Sequence, residues 1–236
     1  MLEKHIHINS IGLVSFVKSR RSSRIRITVK PKGVSVSLPV QVPYSEAIRF
    51  VESKTDWILA QQSKHEACLT VFGPESNFRT KFHQLKITKG NYPKVFNRIG
   101  NGIIQFFVPD RFNHEMPEIQ EFIKDVLIKL MRYEAKVYLP KRVDELAQIH
   151  GLRYKKVFIK NASTRWGSCS SENNINLNLH LMRLPNHLID YVVLHELAHT
   201  VEKNHGPKFW ALLGRLVGGD PKKLSREVKK YRTTNF

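Results

Sequence analysis

The segment PNHLIDYVVLHELAHTVEKN (185–204) is apolar nearly all round a helix, yet it carries two histidines and a carboxylate in its middle. Advancing about 100° per residue, Leu188, Ile189, Val192, Val193, Leu194, Leu197, Ala198 and Val201 cover almost every direction, the pattern of a buried helix. His195, Glu196 and His199 spell H-E-x-x-H within it. Positions i and i+4 lie about 40° apart on one face, so two imidazoles can converge on one ion. Glu196 is rotated off that line and can stand beside the ion, holding a water. Burying three unpaired polar groups costs several kcal/mol. One divalent cation satisfies all three, so the fold must be built around that site.

His205 supplies a third ligand, six residues beyond His199. Asn204 precedes it and tolerates the left-handed conformation that ends many helices, so the chain is expected to turn there and bring His205 back. Gly206-Pro207 then opens the next helix. The alternative, two core histidines bonded to backbone carbonyls, leaves His205 without a role. Three protein ligands and one open position make the pattern of a catalytic zinc site.

The run His195-Glu196-Leu197-Ala198-His199, with His205 and then Phe209-Trp210, resembles the YgjP-like metallopeptidase family, relatives of the SprT-like and WLM zinc peptidases. Two further blocks carry the resemblance. One is Arg165-Trp166-Gly167-Ser168-Cys169-Ser170 followed by Asn176-Leu177-Asn178; the other is Leu188-Ile189-Asp190-Tyr191-Val192-Val193. The likeness is strongest over about 150–212. It implies one zinc held by His195, His199 and His205, with Glu196 as catalytic base. The third-histidine spacing also fits metzincins, but Glu202 stands where those have glycine and no Met-turn signal follows.

The 236 residues carry 39 Lys+Arg against 20 Asp+Glu, a net charge of +19. Such a field attracts polyanions and says nothing about fold. Hydrophobic residues at 41% exclude a disordered or low-complexity chain. Two cysteines, Cys68 and Cys169, make neither a disulfide framework nor a four-cysteine metal site. The first residues lack the signature of a secretory signal, and no apolar run reaches the ~18 residues of a membrane span. A cytoplasmic location without membrane contact is expected.

Composition changes near residue 112. Before it, 11–19, 24–31 and 33–39 read as strands, with a tight turn at Lys32-Gly33. A helix follows over SEAIRFVESKTDWILAQQSKH, then strands at 81–89, 93–100 and 102–109. After it, 116–151 reads as one long helix that Pro140 kinks or divides. Short strands at 156–161 and 174–181, the metal helix and two closing helices complete the chain. The expected class is α+β: a β-rich N-terminal domain with one helix (1–112) and a zincin-like catalytic domain with a small antiparallel sheet (113–236).

In NINLNLHL (174–181), Asn174, Asn176, Asn178 and His180 share one face and apolar residues the other. It is either an edge strand that pairs with an extended substrate beside the metal, or an ordinary strand with one solvated face. Arg165, Trp166 and Asn176 are the candidate substrate-binding residues. Cys169 is read as a small buried side chain rather than a fourth ligand, and Asp190 as either orienting an imidazole or capping a turn. The basic clusters Lys18–Arg26, Lys155-Lys156 and Lys222–Lys230 are either a solvated surface or a non-specific phosphate-contacting one.

The leading function is a zinc-dependent hydrolase acting on polypeptide. The alternatives are a nucleotide phosphohydrolase using the same site, and a basic nucleic-acid-binding module with structural zinc.

Overall fold

The computed structural model describes residues 3–30, 33–66 and 70–233. Lys32 of the expected turn and Cys68 lie outside them. By internal contacts the chain divides into two compact units, Met1–Thr70 and Val71–Phe236.

The first unit is a four-stranded sheet: β1 (Glu3–Ile8), β2 (Gly12–Lys18), β3 (Arg26–Lys30) and β4 (Gly33–Leu38), in the order β1-β2-β4-β3. β2 and β4 run parallel; the outer pairs are antiparallel. Alternation sends Val14, Phe16, Val34, Val36 and Leu38 into the core and leaves Ser15, Ser35 and Ser37 on the other face. The single helix expected here is two, α1 (Tyr44–Glu52) and α2 (Thr55–Glu66), because α1 closes at Ser53. Ala47, Val51 and Ile58 join the sheet's core.

The second unit holds two cores joined by one helix. Strands β5 (Gln84–Gly90), β6 (Phe96–Gly100) and β7 (Ile103–Pro109) form a sheet in the order β5-β7-β6. Its apolar face, Leu85, Ile87, Ile104, Phe106 and Val108, packs on Ile119, Ile123, Leu127 and Leu130. These belong to the first turns of α3 (Pro117–Ile149), a 33-residue helix that runs unbroken through Pro140. The later turns of α3 present Met131, Ala135, Leu139, Val143 and Leu146 to the other core. The contact boundary after Thr70 thus differs from the compositional one near 112. A half-buried sheet needs a cover, and the helix that supplies it lies beyond the compositional change.

Around the second half of α3 stand β8 (Val157–Lys160), β9 (Gly167–Cys169), β10 (Ile175–Asn178), a 3-10 helix (Leu179–Arg183), α4 (Asn186–Ala198), α5 (Pro207–Val217) and α6 (Pro221–Val228). The order β8-β10-β9, with β8 parallel and β9 antiparallel to β10, makes this small sheet mixed rather than wholly antiparallel. β10 is its central strand, so the substrate-pairing edge expected at 174–181 is not there. The strand also stops at Asn178, whose side chain accepts from His180 N (3.2 Å) and starts the 3-10 turn. No helix among the described residues is long and apolar enough to cross a membrane.

Candidate metal centre

α4 follows Pro185, which stands in extended backbone just before it, and is buried on most sides through Leu188, Ile189, Val192, Val193, Leu197 and Ala198. The bidentate pair between Asp190 and Arg142 fastens it to α3, with Arg142 Nε 2.6 Å from Oδ1 and an Nη 2.8 Å from Oδ2. Asp190 therefore orients no imidazole. These hydrogen bonds, foremost among the causes, push the Arg142 guanidinium above its ordinary range.

The helix closes at His199, and the chain returns without a left-handed Asn204. Among the described non-glycine residues, positive φ occurs only at Ser10, Asn101 and Asn173. The return is built from Glu202 N to Ala198 O (2.9 Å) and Gly206 N to Asn204 O (2.7 Å). Lys203 Nζ also donates to Ser170 O at 3.2 Å and to Asn173 Oδ1, tying the loop to the β9–β10 turn. No sequence signal marked Lys203 for this task.

His205 is thereby carried back to α4. Its Nε2 lies 3.1 Å from His195 Nε2 and 3.2 Å from His199 Nε2. Among the described residues these three form the one cluster able to hold a metal ion. A tetrahedral ion with ligand bonds of about 2.0–2.1 Å has edges of about 3.3 Å, close to what is found. His199 Nδ1 donates to Glu202 O at 3.0 Å, leaving its Nε2 lone pair facing the cluster. Phe209 packs on all three rings at 4.4–5.0 Å, and Trp210 Nε1 donates to His205 O at 3.1 Å. Burial, with the neighbouring imidazoles, pulls His195 down to about 3, and burial also lowers His199. Neutral imidazoles are the ligand form. The donor set and its geometry therefore fit a zinc-type ion.

Glu196 is 5% exposed and outside the cluster of ring nitrogens. Burial pushes its carboxyl up to about 8, against the pull of the Arg165 charge. β9 lies against it. A Cβ built on Gly167 would be 2.7 Å from both Cγ and Oε1 of Glu196, so only glycine lets the strand approach this closely.

Since Gly167 faces Glu196, its neighbour Ser168 and the paired Asn176 stand on the opposite face of the sheet. Asn176 Nδ2 donates there to Ser168 O (3.4 Å) and Oγ (3.3 Å). Arg165, Trp166 and Asn176 come together, but around a cavity of about 240 Å³ also lined by Lys160 and Asn178, not around the histidines. Asn178 is 1% exposed and donates to Ala162 O (2.7 Å) and Arg165 O (2.8 Å), which replaces the solvated polar face with a clamp on the loop before β9. Cys169 is half-buried, its thiol pushed up by burial, and does not join the histidine cluster.

Two solved structures are similar to parts of the chain. The metallopeptidase zymogen of Pyrococcus abyssi abylysin is 21% identical, with a TM-score of 0.36, over 41% of this chain and 97% of that one. The metallopeptidase zymogen of Methanocaldococcus jannaschii jannalysin is 23% identical, with a TM-score of 0.35, over 39% of this chain and 93% of that one. No curated protein matches the sequence significantly. The family model described as YgjP-like, metallopeptidase domain, matches residues 23–231, most of the chain, and the protein belongs to that family.

Proposed function

We propose that this protein is a zinc-dependent peptidase in which His195, His199 and His205 hold one ion and Glu196 is the general base. The observation that carries the reading is the convergence of three Nε2 atoms, at 3.1 and 3.2 Å, beside a buried carboxylate that stays out of the cluster. Zinc bound there would lower the pKa of a water ligand and polarise the scissile carbonyl. Glu196 takes the water's proton on its carboxylate and delivers it to the leaving amine. Burial alone raises its carboxyl, and a divalent cation beside it would favour the carboxylate again, so the bound ion would keep Glu196 in the form of a base.

For the substrate, the supporting feature is the free edge of β9. It is an outer strand of its sheet and lies over Glu196, so its unpaired backbone groups can receive an extended polypeptide. The rival reading on the same site is hydrolysis of a phosphoanhydride, supported by Arg165, whose charge acts on Glu196.

The test is a parallel assay of zinc-loaded protein against an unfolded polypeptide and a panel of nucleoside triphosphates. Peptide cleavage is expected. Glu196→Gln should keep its zinc and lose about 10²–10⁴ in rate. Turnover of triphosphates alone would replace the peptidase reading, and zinc lost from Glu196→Gln would remove Glu196 from the role of base.

A further inference from the structure

The cavity of about 240 Å³ at the start of β9 takes no part in the chemistry described so far. Lys160, Arg165, Trp166 and Asn178 line it, with no aspartate or glutamate among the lining residues. Its place relative to Glu196 follows from the register of the small sheet. Gly167 pairs with Leu177, and both belong to the face that packs on α4 and Glu196. Lys160 pairs with Asn178, one residue out of phase, so these side chains stand on the opposite face.

The lining is cationic. Lys160 and Arg165 are exposed, and neither forms an ion pair among the described residues. Lys160 Nζ rests over the Phe158 ring at 5.2 Å. The Arg165 charge acts on Glu196, but from beyond ion-pair distance. The loop that bears Arg165 is held at several points. Asn178 Nδ2 donates to Ala162 O (2.7 Å) and Arg165 O (2.8 Å), Asn178 N to Trp166 O (2.8 Å), and Thr233 Oγ1 to Ser163 O (2.6 Å). The two cations therefore flank one cavity on a fixed frame.

An extended polypeptide on the free edge of β9 adds a strand to the sheet. Its side chains then alternate between the two faces. The residue level with Gly167 lies beside Glu196, and its immediate neighbours turn their side chains to the face that bears the cavity. A chain terminus stays in the plane of the strand, so the group that reaches the cavity is a side chain. A volume of about 240 Å³ lies below the range of small-molecule sites and suits a single side chain.

We propose that this cavity is a specificity pocket for a carboxylate side chain, bound by Lys160 and Arg165, so that the protein cuts polypeptide beside aspartate or glutamate. The pocket rests on the peptidase reading and names its substrate class. A guanidinium matches a carboxylate oxygen for oxygen, and lysine adds a mobile point charge. Trp166, half-buried in the same lining, offers an apolar wall to the methylenes of the bound side chain. The net charge of +19 draws acidic segments toward the protein in general, but only a pocket beside β9 ties them to the position of the cut.

The test begins with zinc-loaded full-length protein and a mixture of unfolded polypeptides of known sequence, with cut sites read by mass spectrometry. Aspartate and glutamate should be enriched at least about threefold at one position next to the cut. Peptides built on one such site then differ only by Glu, Gln or Lys at that position. Glu should exceed Gln about five- to tenfold in kcat/KM, the yield of two partly exposed pairs, and the preference should shrink with salt. Lys160→Gln should reduce it at least about twofold. Lys160→Glu/Arg165→Gln should reverse it in favour of the Lys peptide, with zinc content unchanged. Lys222→Gln/Lys223→Gln removes charge from α6, outside the pocket, and should leave the preference as it is. Binding to zinc-loaded Glu196→Gln gives a readout without turnover: an octapeptide alternating Ala with Glu should bind more tightly than the same peptide with Gln. Cleavage without an acidic neighbour, a wild-type preference kept by both Lys160 variants, or an equal loss in the α6 variant overturns the pocket and leaves the peptidase reading standing. If no polypeptide is cut, the peptidase reading falls; equal Kd for the two octapeptides then overturns the pocket as well, while tighter binding of the Glu peptide, lost in Lys160→Gln, upholds it as a carboxylate site.

Discussion

A methyl group at position 167 would lie 2.7 Å from Glu196 Cγ, closer than a side chain can stand. Glu196 is buried among core residues and has nowhere to withdraw. Gly167→Ala is therefore expected to displace the carboxylate from its place beside the histidines. Displacements of about 1 Å cost on the order of 10² in rate, so peptidase kcat should fall by about 10–10² with zinc content intact. Ser168→Ala, on the opposite face of the same strand, should change kcat little. Equal activity in the two variants would separate Gly167 from the base. The proposed ligands give a cleaner readout. Removing one of three closes no alternative geometry, so His205→Ala should lose most of its zinc on gel filtration, measured by metal analysis. The convergence of His195 and His199 was legible because i and i+4 already fix a shared helical face. His205 needed only a returning loop, although that loop is tied by Lys203 rather than by a left-handed Asn204. At Gly167 the residue type itself offers close backbone approach, but that Glu196 is what it approaches depends on strand pairing that no local pattern encodes.

Among the elements, α4 carries His195, with His199 at its end, and is anchored to α3 by Arg142 and Asp190. Both side chains are about a quarter exposed, so their paired bonds keep much of their strength. Asp190→Asn loses the charge and one acceptor, and a charge-assisted bond of this kind contributes about 1.5–3 kcal/mol. In a unit of this size, 1 kcal/mol corresponds to about 2–4 °C, so Tm should fall by several degrees in a thermal melt. Zinc content at room temperature should stay near that of wild type, because no ligand is touched. A Tm unchanged within a degree would show the pair to be a surface ornament. The apolar pattern of α4 predicted its burial but not its fastening, since Arg142 lies 48 residues away in sequence. The same limit explains β10. Alternation in NINLNLHL identified a strand, yet alternation does not count a strand's neighbours, and β10 has one on each side. Nor does it reveal that Asn178 ends the strand by capping the next turn.

At the scale of the whole chain, the two candidate boundaries make opposite predictions. Composition shifts near 112, just before α3, and invites a construction of 113–236 alone. The packing places β5, β6 and β7 on the same core as Ile119, Ile123, Leu127 and Leu130 of α3. Cutting at 113 would bare these four side chains. At about 1.5–3 kcal/mol for each large apolar side chain, the loss is on the order of 6–12 kcal/mol, comparable to the whole stability of a typical domain. A fragment of 113–236 is therefore expected to aggregate or to bind zinc only weakly. A fragment of 71–236 keeps both cores, the metal centre and every residue of the sheet that covers α3. It should remain monodisperse, melt cooperatively and hold about one zinc per chain by metal analysis. The β-rich texture that joined 1–70 to 71–112 in the sequence reflects two sheets of similar composition with separate cores, a distinction that depends on which helix covers each sheet. Cooperative folding and full zinc in 113–236 would show that α3 does not need its sheet, and would return the boundary to the compositional one.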